Sequence, residues 1–397
     1  MTKEDVSKAL AEARALVTAL ESHDGSAQSH LNLLNQASNV RTALEGPYDT
    51  ATRWLECLSI TGALYLLIRL KALQKLPAEG SISAQTLADQ CNVDVSAINR
   101  AMRVLLVNGV AVETAPDEYA HNDLSLALQP EGLGQFLCIS VDFMRDWCAF
   151  PDYAKTHAPE DLFDAKKSLH AFMLGKEGKT FYEIIDENTE ERHLFNITMQ
   201  AMEKNFPITG LFPFKSLEAQ VSSEPERPFI VDIGGGRGQA LLALKEDCGG
   251  AFGSKLVLQD LPSVIDSLSP EDIPGIQPMK YDASTPQPIK NAHVYLMRRF
   301  LHDFYDPVCE VFLRNTVSAM GPDSRLIVCD MIIPEKVQDK GEQTAYWLDF
   351  CLMCMSGKER KLGEFEALFD RVGLELVAVH KAEMGHVAML ETRLKRS

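Results

Sequence analysis

Basic residues are scarce against acidic ones in this chain of 397 residues: 39 Lys and Arg face 56 Asp and Glu, a net charge of −17. Nucleic-acid phosphates are held by basic faces, so this balance argues against such a partner. No apolar run reaches the roughly 20 residues of a membrane span. The most apolar stretch, ITGALYLLIRLKAL at 60–73, is broken by Arg69 and Lys71. The start, MTKEDVSKALAEARALV, carries early acidic residues and no apolar centre, unlike a secretory leader. A cysteine framework is also missing. The nine cysteines are odd in number and scattered, which predicts free thiols in a reducing, cytoplasmic compartment. The one close pair, Cys351 and Cys354 in FCLMCMS, has no second pair to complete a zinc site and reads as core packing, so no metal is expected.

What is present is an ordinary globular composition, 46% hydrophobic and 24% charged, in a chain long enough for two or three domains. Apolar residues at three- and four-residue spacing predict helices over 3–45, and residues 49–76 read as one long, mostly buried helix. Ser83 then caps a short helix, CNVD makes a turn, and Val95 to Asn108 form a second helix that Gly109 ends. VAVET and EYAHN, on either side of Pro116 and Asp117, predict a hairpin. Helix, turn, helix and hairpin make a winged-helix pattern. Its second helix carries only Arg100 and Arg103 as basic residues, so a dimerisation or scaffold role is preferred over DNA reading.

Residues 131–225 read as a mainly helical connecting region with scattered aromatics, and the polar VSSEPERP at 221–228 marks a domain boundary. Beyond it, apolar runs alternate with helices: FIVDIG, KLVLQDL, IQPMKYDA, HVYLM, RLIVCDMII, LELVAVH and VAMLET. Such runs predict a parallel sheet covered on both faces. The last two are joined by KAEMGH, too short for a helical crossover, and are expected to pair antiparallel. The predicted organisation is therefore α/β: a helical and winged-helix domain at 1–130, a connecting region at 131–225 and a Rossmann-like sheet domain at 226–397.

FIVDIGGGRGQALLAL places a strand, a glycine loop and a helix in order. Gly234, Gly236 and Gly238 permit a tight turn and close approach of a ligand to the backbone. Asp260 ends the next apolar run, 22 residues past Gly238, where a carboxylate can accept from both ribose hydroxyls of a nucleoside. A nicotinamide dinucleotide is the rival ligand. Asp282, in KYDAS at the end of the third strand, suits an adenine edge, and the closing antiparallel hairpin departs from the usual dinucleotide layout.

These motifs in this order resemble the class I S-adenosylmethionine-dependent O-methyltransferases, in particular the plant phenolic enzymes and their fungal relatives. The resemblance covers nearly the whole chain, with a seven-stranded methyltransferase sheet and an N-terminal dimerisation domain. It implies S-adenosyl-L-methionine as cofactor, a homodimer, and a hydroxyl of a small aromatic or polyketide-like secondary metabolite as methyl acceptor. Cofactor contacts fall on Gly234, Gly235, Gly236, Asp260, Leu261, Asp282 and Ala283, and the family's lysine falls on Arg298. The family's catalytic histidine falls on His302, and its two steering carboxylates on Asp330 and Glu359. A phenol with a pKa near 10 is a poor nucleophile at neutral pH, and a neutral imidazole held by a carboxylate can take its proton.

Arg299 stands where relatives carry an aromatic residue, and reads either as a pocket residue or as a partner for one of the many carboxylates. His121, His157, His170 and His193 match no motif and read as structural or surface residues. The chain is also similar to methyltransferase-like pericyclases of fungal pyridone pathways, which keep the cofactor pocket but catalyse dehydration or cycloaddition. His302 favours methyl transfer, whereas Arg298, Arg299 and the short Asp330 keep the pericyclase alternative open. A winged-helix regulator sensing the cofactor is a third reading, opposed by the acidic charge.

Overall fold

A computed structural model describes residues 2–202, 206–337 and 342–396. The chain divides into two compact units, 1–141 and 142–397.

In the first unit, α1 (Lys3–Glu21) and α2 (Ala27–Leu44) pack against each other, separated by a turn in which Gly25 takes φ +81° and Ser26 caps α2. The long helix expected over 49–76 is shorter. It runs as α3 (Pro47–Arg69), stops where Lys71 adopts φ +56°, and is followed by a 3-10 turn over Leu73–Lys75. Nor is it mostly buried. Only Ala63, Leu64, Leu67 and Ile68 are covered, while Tyr48, Trp54, Leu55 and Leu58 lie exposed. Then come β1 (Ile82–Ser83), α4 (Ala84–Cys91), α5 (Val95–Val107), β2 (Val112–Ala115) and β3 (Glu118–Ala120). Ser83 accepts from Thr86 N and Asp94 from Ser96 N, so each helix starts at a side-chain cap. The three strands form an antiparallel sheet in the order β1-β3-β2.

The helical stretch that follows comprises α6 (Asp123–Ala127), α7 (Gln135–Thr156), α8 (Leu169–Met173), α9 (Phe181–Ile185), α10 (Thr189–Met202) and α11 (Glu218–Ser223). The sheet unit then runs β4 (Ile230–Ile233), α12 (Gln239–Cys248), β5 (Leu256–Asp260), α13 (Pro262–Ile265), β6 (Gln277–Lys280), β7 (Val294–Arg298), α14 (Asp306–Val317), β8 (Arg325–Ile333), α15 (Thr344–Met353), β9 (Arg360–Lys361), α16 (Leu362–Arg371), β10 (Leu374–Lys381) and β11 (Val387–Leu394). Main strands are ordered β10-β11-β8-β7-β4-β5-β6, and the two-residue β9 adds to the end of β8. Pairing is parallel from β6 to β8, and β11 and β10 close the sheet antiparallel.

β4, β5, β7 and β8 are largely buried on both faces, whereas the edge strand β6 is mostly exposed. Val231, Tyr295, Met297, Val328, Phe365 and Phe369 meet in one core. The third strand is shorter than its apolar run suggests. It ends at Lys280, Tyr281 N still donates to Asp260 O, and Asp282 then turns the chain by accepting from Ser284 N. After β4 the chain moves outward to β5 and β6, then crosses back to β7. This reversal opens a crevice beyond the carboxyl ends of β4 and β7, where ligands of open α/β sheets bind.

Candidate active site

The first two glycines of the loop after β4 lie against their neighbours too closely for side chains. Gly234 has φ +70°, and a Cβ there would run into the ring of Phe300; one on Gly235 would meet the Asp232 carboxylate and Leu258. The Gly234 and Gly235 amides donate to Gln259 O at 2.8 and 3.2 Å. Asp260 fastens the loop further: Oδ2 accepts from Gly236 N at 2.8 Å and Oδ1 from Leu261 N at 2.7 Å. Each of its oxygens keeps a second lone pair for a ligand hydroxyl. Gln259 and Gln287 pair through both side-chain amides, at 2.9 and 2.8 Å, and hold the end of β5 to the segment after β6. That segment holds Asp282, which is exposed, and Ala283, whose carbonyl accepts from Asn315 at 2.8 Å. Arg298, at the end of β7, donates from Nη2 to Phe206 O at 3.0 Å.

Asp232 was not singled out from the sequence. It lies within β4, 1% exposed, and neither carboxylate oxygen has a hydrogen-bond partner among the described residues. Burial pushes its carboxyl up to about 7, with Arg298 pulling down and Asp260 pushing up. An orphaned carboxylate beneath a glycine cradle, next to a ribose-type acceptor, fits a ligand with a cationic end and a nucleoside. The local signal was present, since Asp232 is the one charged residue in an otherwise apolar strand.

His302 sits in a buried 3-10 turn, Leu301–Asp303, just after β7. The turn is anchored by Arg360, whose fully buried guanidinium donates to Leu301 O at 3.0 Å, Phe304 O at 2.7 Å and Asp306 Oδ1 at 3.0 Å. Lys358 N donates to His302 O at 2.8 Å. Gly357 lies so close to His302 O that a Cβ there would collide with it. The same segment delivers Glu359, whose Oε1 is 2.8 Å from His302 Nδ1. Asp330, in β8, makes no hydrogen bond to the ring; both its oxygens are buried without partners among the described residues. It acts on His302 by charge alone.

Burial by itself would lower the imidazole, but the charge and hydrogen bond of Glu359, with Asp303 and Asp330 nearby, outweigh it and hold His302 at about 9. Burial lifts Asp330 well above the usual carboxylate range; His302 lowers it in part, and Glu359 raises it again. Nδ1 is bonded to Glu359, which leaves Nε2 as the face able to accept a proton from a ligand.

Two further residues here escaped the sequence reading. Asp303 Oδ1 lies 3.6 Å from His302 Nε2, and its Oδ2 accepts from the Tyr182 hydroxyl at 2.7 Å. Asp303 neighbours the histidine in sequence, whereas nothing local to Tyr182 signals a contact 121 positions away. Arg299 adopts φ +49°, lays its guanidinium 4.4 Å from the Phe206 ring centre and donates to Met199 Sδ at 3.5 Å. His157 stacks on Tyr153, His170 pairs with buried Asp146 at 2.8 Å, His121 bonds Ser125 at 2.9 Å, and His193 is exposed. Cys351 and Cys354 are buried free thiols.

Residues 161–375 match the O-methyltransferase domain family. The chain is 38% identical to O-methyltransferase hmp5 of Hypomyces subiculosus over 92% of both chains. This chain belongs to the O-methyltransferase family. It is also 30% identical to O-methyltransferase kntB of Aspergillus niger, covering 88% of this chain and 85% of that one. Among solved structures, OxaC superposes with a TM-score of 0.85 at 26% identity over 99% and 98% of the two chains. LepI, in complex with SAM, superposes with a TM-score of 0.81 at 24% identity over 98% and 100%, a likeness of fold alone. Membership carries the activity class, methyl transfer from S-adenosylmethionine to oxygen. No described helix is long and apolar enough to cross a membrane.

Proposed function

We propose that this O-methyltransferase methylates a phenolic or enolic hydroxyl of a small aromatic or polyketide-like secondary metabolite, with His302 as general base. The observation that carries this reading is the polarity of the buried ring, Nδ1 tied to Glu359 and Nε2 left for an acceptor. OxaC has been solved with SAH and oxaline, which supports a small-molecule acceptor for this fold. Asp232, Gly234, Gly235, Gly236, Asp260, Leu261, Asp282, Ala283 and Arg298 would hold the cofactor around the β4–β7 crevice. S-adenosylmethionine supplies an electrophilic methyl on a cationic sulfur, so no metal is required.

In the unliganded chain the carboxylates around His302 keep the ring charged, and a charged imidazole cannot accept a proton. A cationic ligand held at the same sheet edge would oppose that charge and favour the neutral ring, whose Nε2 could then accept the proton. Glu359 then fixes the tautomer and stabilises the imidazolium that forms, while Asp330 adds its charge without a bond.

His302→Ala should lower turnover by roughly a hundred- to ten-thousandfold, the usual worth of a general base, and leave cofactor affinity intact. The assay follows S-adenosylhomocysteine with a panel of phenols and polyketide–pyridone precursors. If a precursor is converted while S-adenosylhomocysteine stays at background, the pericyclase alternative replaces this reading.

The enzyme also works as a homodimer built through its first unit. Supporting this, Val6, Leu10, Val17 and Leu20 on α1 and Trp54, Leu55 and Leu58 on α3 are exposed, more apolar surface than a lone domain usually leaves open.

A further inference from the structure

We propose that Tyr182 is a positioning residue for the base: it holds the Asp303 carboxylate just short of His302 Nε2 and so keeps that nitrogen open to the acceptor hydroxyl. This rests on the reading of His302 as the base.

Nδ1 of His302 is committed to Glu359 at 2.8 Å, so an acceptor can be deprotonated only at Nε2. The Asp303 carboxylate stands beside that nitrogen, its Oδ1 3.6 Å away. That separation is too long for a hydrogen bond yet short enough for a small side-chain rotation to close. An Asp303 bonded to Nε2 would fill the acceptor's place and pin the proton on the ring. The backbone of this turn cannot drift, because Arg360 holds the carbonyls of Leu301 and Phe304 on either side. Only the Asp303 side chain is free to move, and the Tyr182 hydroxyl restrains it through the 2.7 Å bond to Oδ2.

Tyr182 is suited to that restraint. It comes from α9, outside the sheet, and is wedged between Phe181 and Phe195 with Arg192 near its ring. Burial first, and then the charge and bond of Asp303, raise its hydroxyl well above the ordinary value, so it remains a donor across the working pH range. The charged groups facing this unit are Glu359, Asp303 and Asp330 around His302, and Asp303, Arg299 and Arg192 around Tyr182.

The test is an NMR titration of the His302 ring in the unliganded full-length chain, its signal assigned with His302→Ala. In Tyr182→Phe, Asp303 is released to pair with Nε2–H, so the titration midpoint should rise. Asp303→Asn removes a neighbouring carboxylate and should lower the midpoint by about one pH unit. The double variant should match Asp303→Asn alone, because Tyr182 acts only through Asp303. With an acceptor in hand, the acid limb of kcat/KM should move in the same opposite directions. A merely structural Tyr182 would lower activity equally at every pH. An unmoved or lowered midpoint in Tyr182→Phe, or additive effects in the double variant, overturns the proposal. If Tyr182→Phe fails to fold, Asp303→Asn still decides, since an unchanged or raised midpoint there removes the proposed link. Loss of S-adenosylhomocysteine formation in His302→Ala beside an unmoved Tyr182→Phe midpoint would reject the positioning role and keep the base.

Discussion

Asp232→Asn should make the unliganded chain more stable and its grip on the cofactor weaker. The carboxylate is buried in β4 beneath Gly235, with no hydrogen-bond partner for either oxygen among the described residues. Burial raises it from 3.8 to about 7 despite Arg298 nearby. A rise of that size corresponds to about 4 kcal/mol of unfavourable ionisation in the folded state, as an upper figure. Between about pH 4 and 7 the folded chain keeps a proton here that the unfolded chain has lost. Stability therefore falls as pH rises through that window and levels off above it. A neutral amide of the same shape escapes this loss, and the desolvation of the protonated acid and of the amide nearly cancels. Thermal unfolding of both proteins at pH 4 and pH 8 reads the difference directly. The two should coincide at pH 4, and the variant should be the more stable at pH 8. Equal midpoints at pH 8, or a gap that persists unchanged at pH 4, would refute the reasoning. Calorimetry should show S-adenosylmethionine binding weakened about tenfold or more, the worth of a charge-assisted contact.

Asp260→Ala removes the acceptor for the Gly236 and Leu261 amides as well as any ribose contact, and should weaken the cofactor by about 1.5–3 kcal/mol; unchanged affinity by calorimetry would reject that assignment. Arg360→Met leaves Leu301 O and Phe304 O without their buried donor, while Asp306 keeps Arg371, and should destabilise by about 1–3 kcal/mol, seen as a drop in the unfolding midpoint. Light scattering should find two copies per particle, and a stable monomer at micromolar concentration would count decisively against the dimer.

Most of the sheet was legible because burial on both faces leaves a simple mark, apolar runs such as VYLM and LIVC separated by helices. The cap at Ser83 was equally local, one side chain meeting one amide three residues on. α3 was misjudged because apolarity was read as burial. Trp54, Leu55 and Leu58 are as apolar as Leu64 and Leu67, yet they stay exposed among the described residues. The third strand was drawn too long because Tyr281 and Ala283 look strand-like, while the Asp282 carboxylate that turns the chain acts on backbone two residues away.

By itself the sequence determined the glycine turn after β4 and the acidic end of β5, since strand, glycine loop and acidic strand end are local features and each imposes its own backbone geometry. It also placed His302 and Glu359 as partners through resemblance. Tertiary structure alone decided how those groups are charged and held. Asp232 became an orphaned acid only once β5 and β7 closed over it. Asp330 was set beside the ring without a bond, whereas Glu359 was brought into contact across 57 positions. Tyr182 reached Asp303 from a separate helix. Proton affinity depends on solvent exclusion and on charges within a few ångströms, and those distances exist only after the sheet and its covering helices have packed.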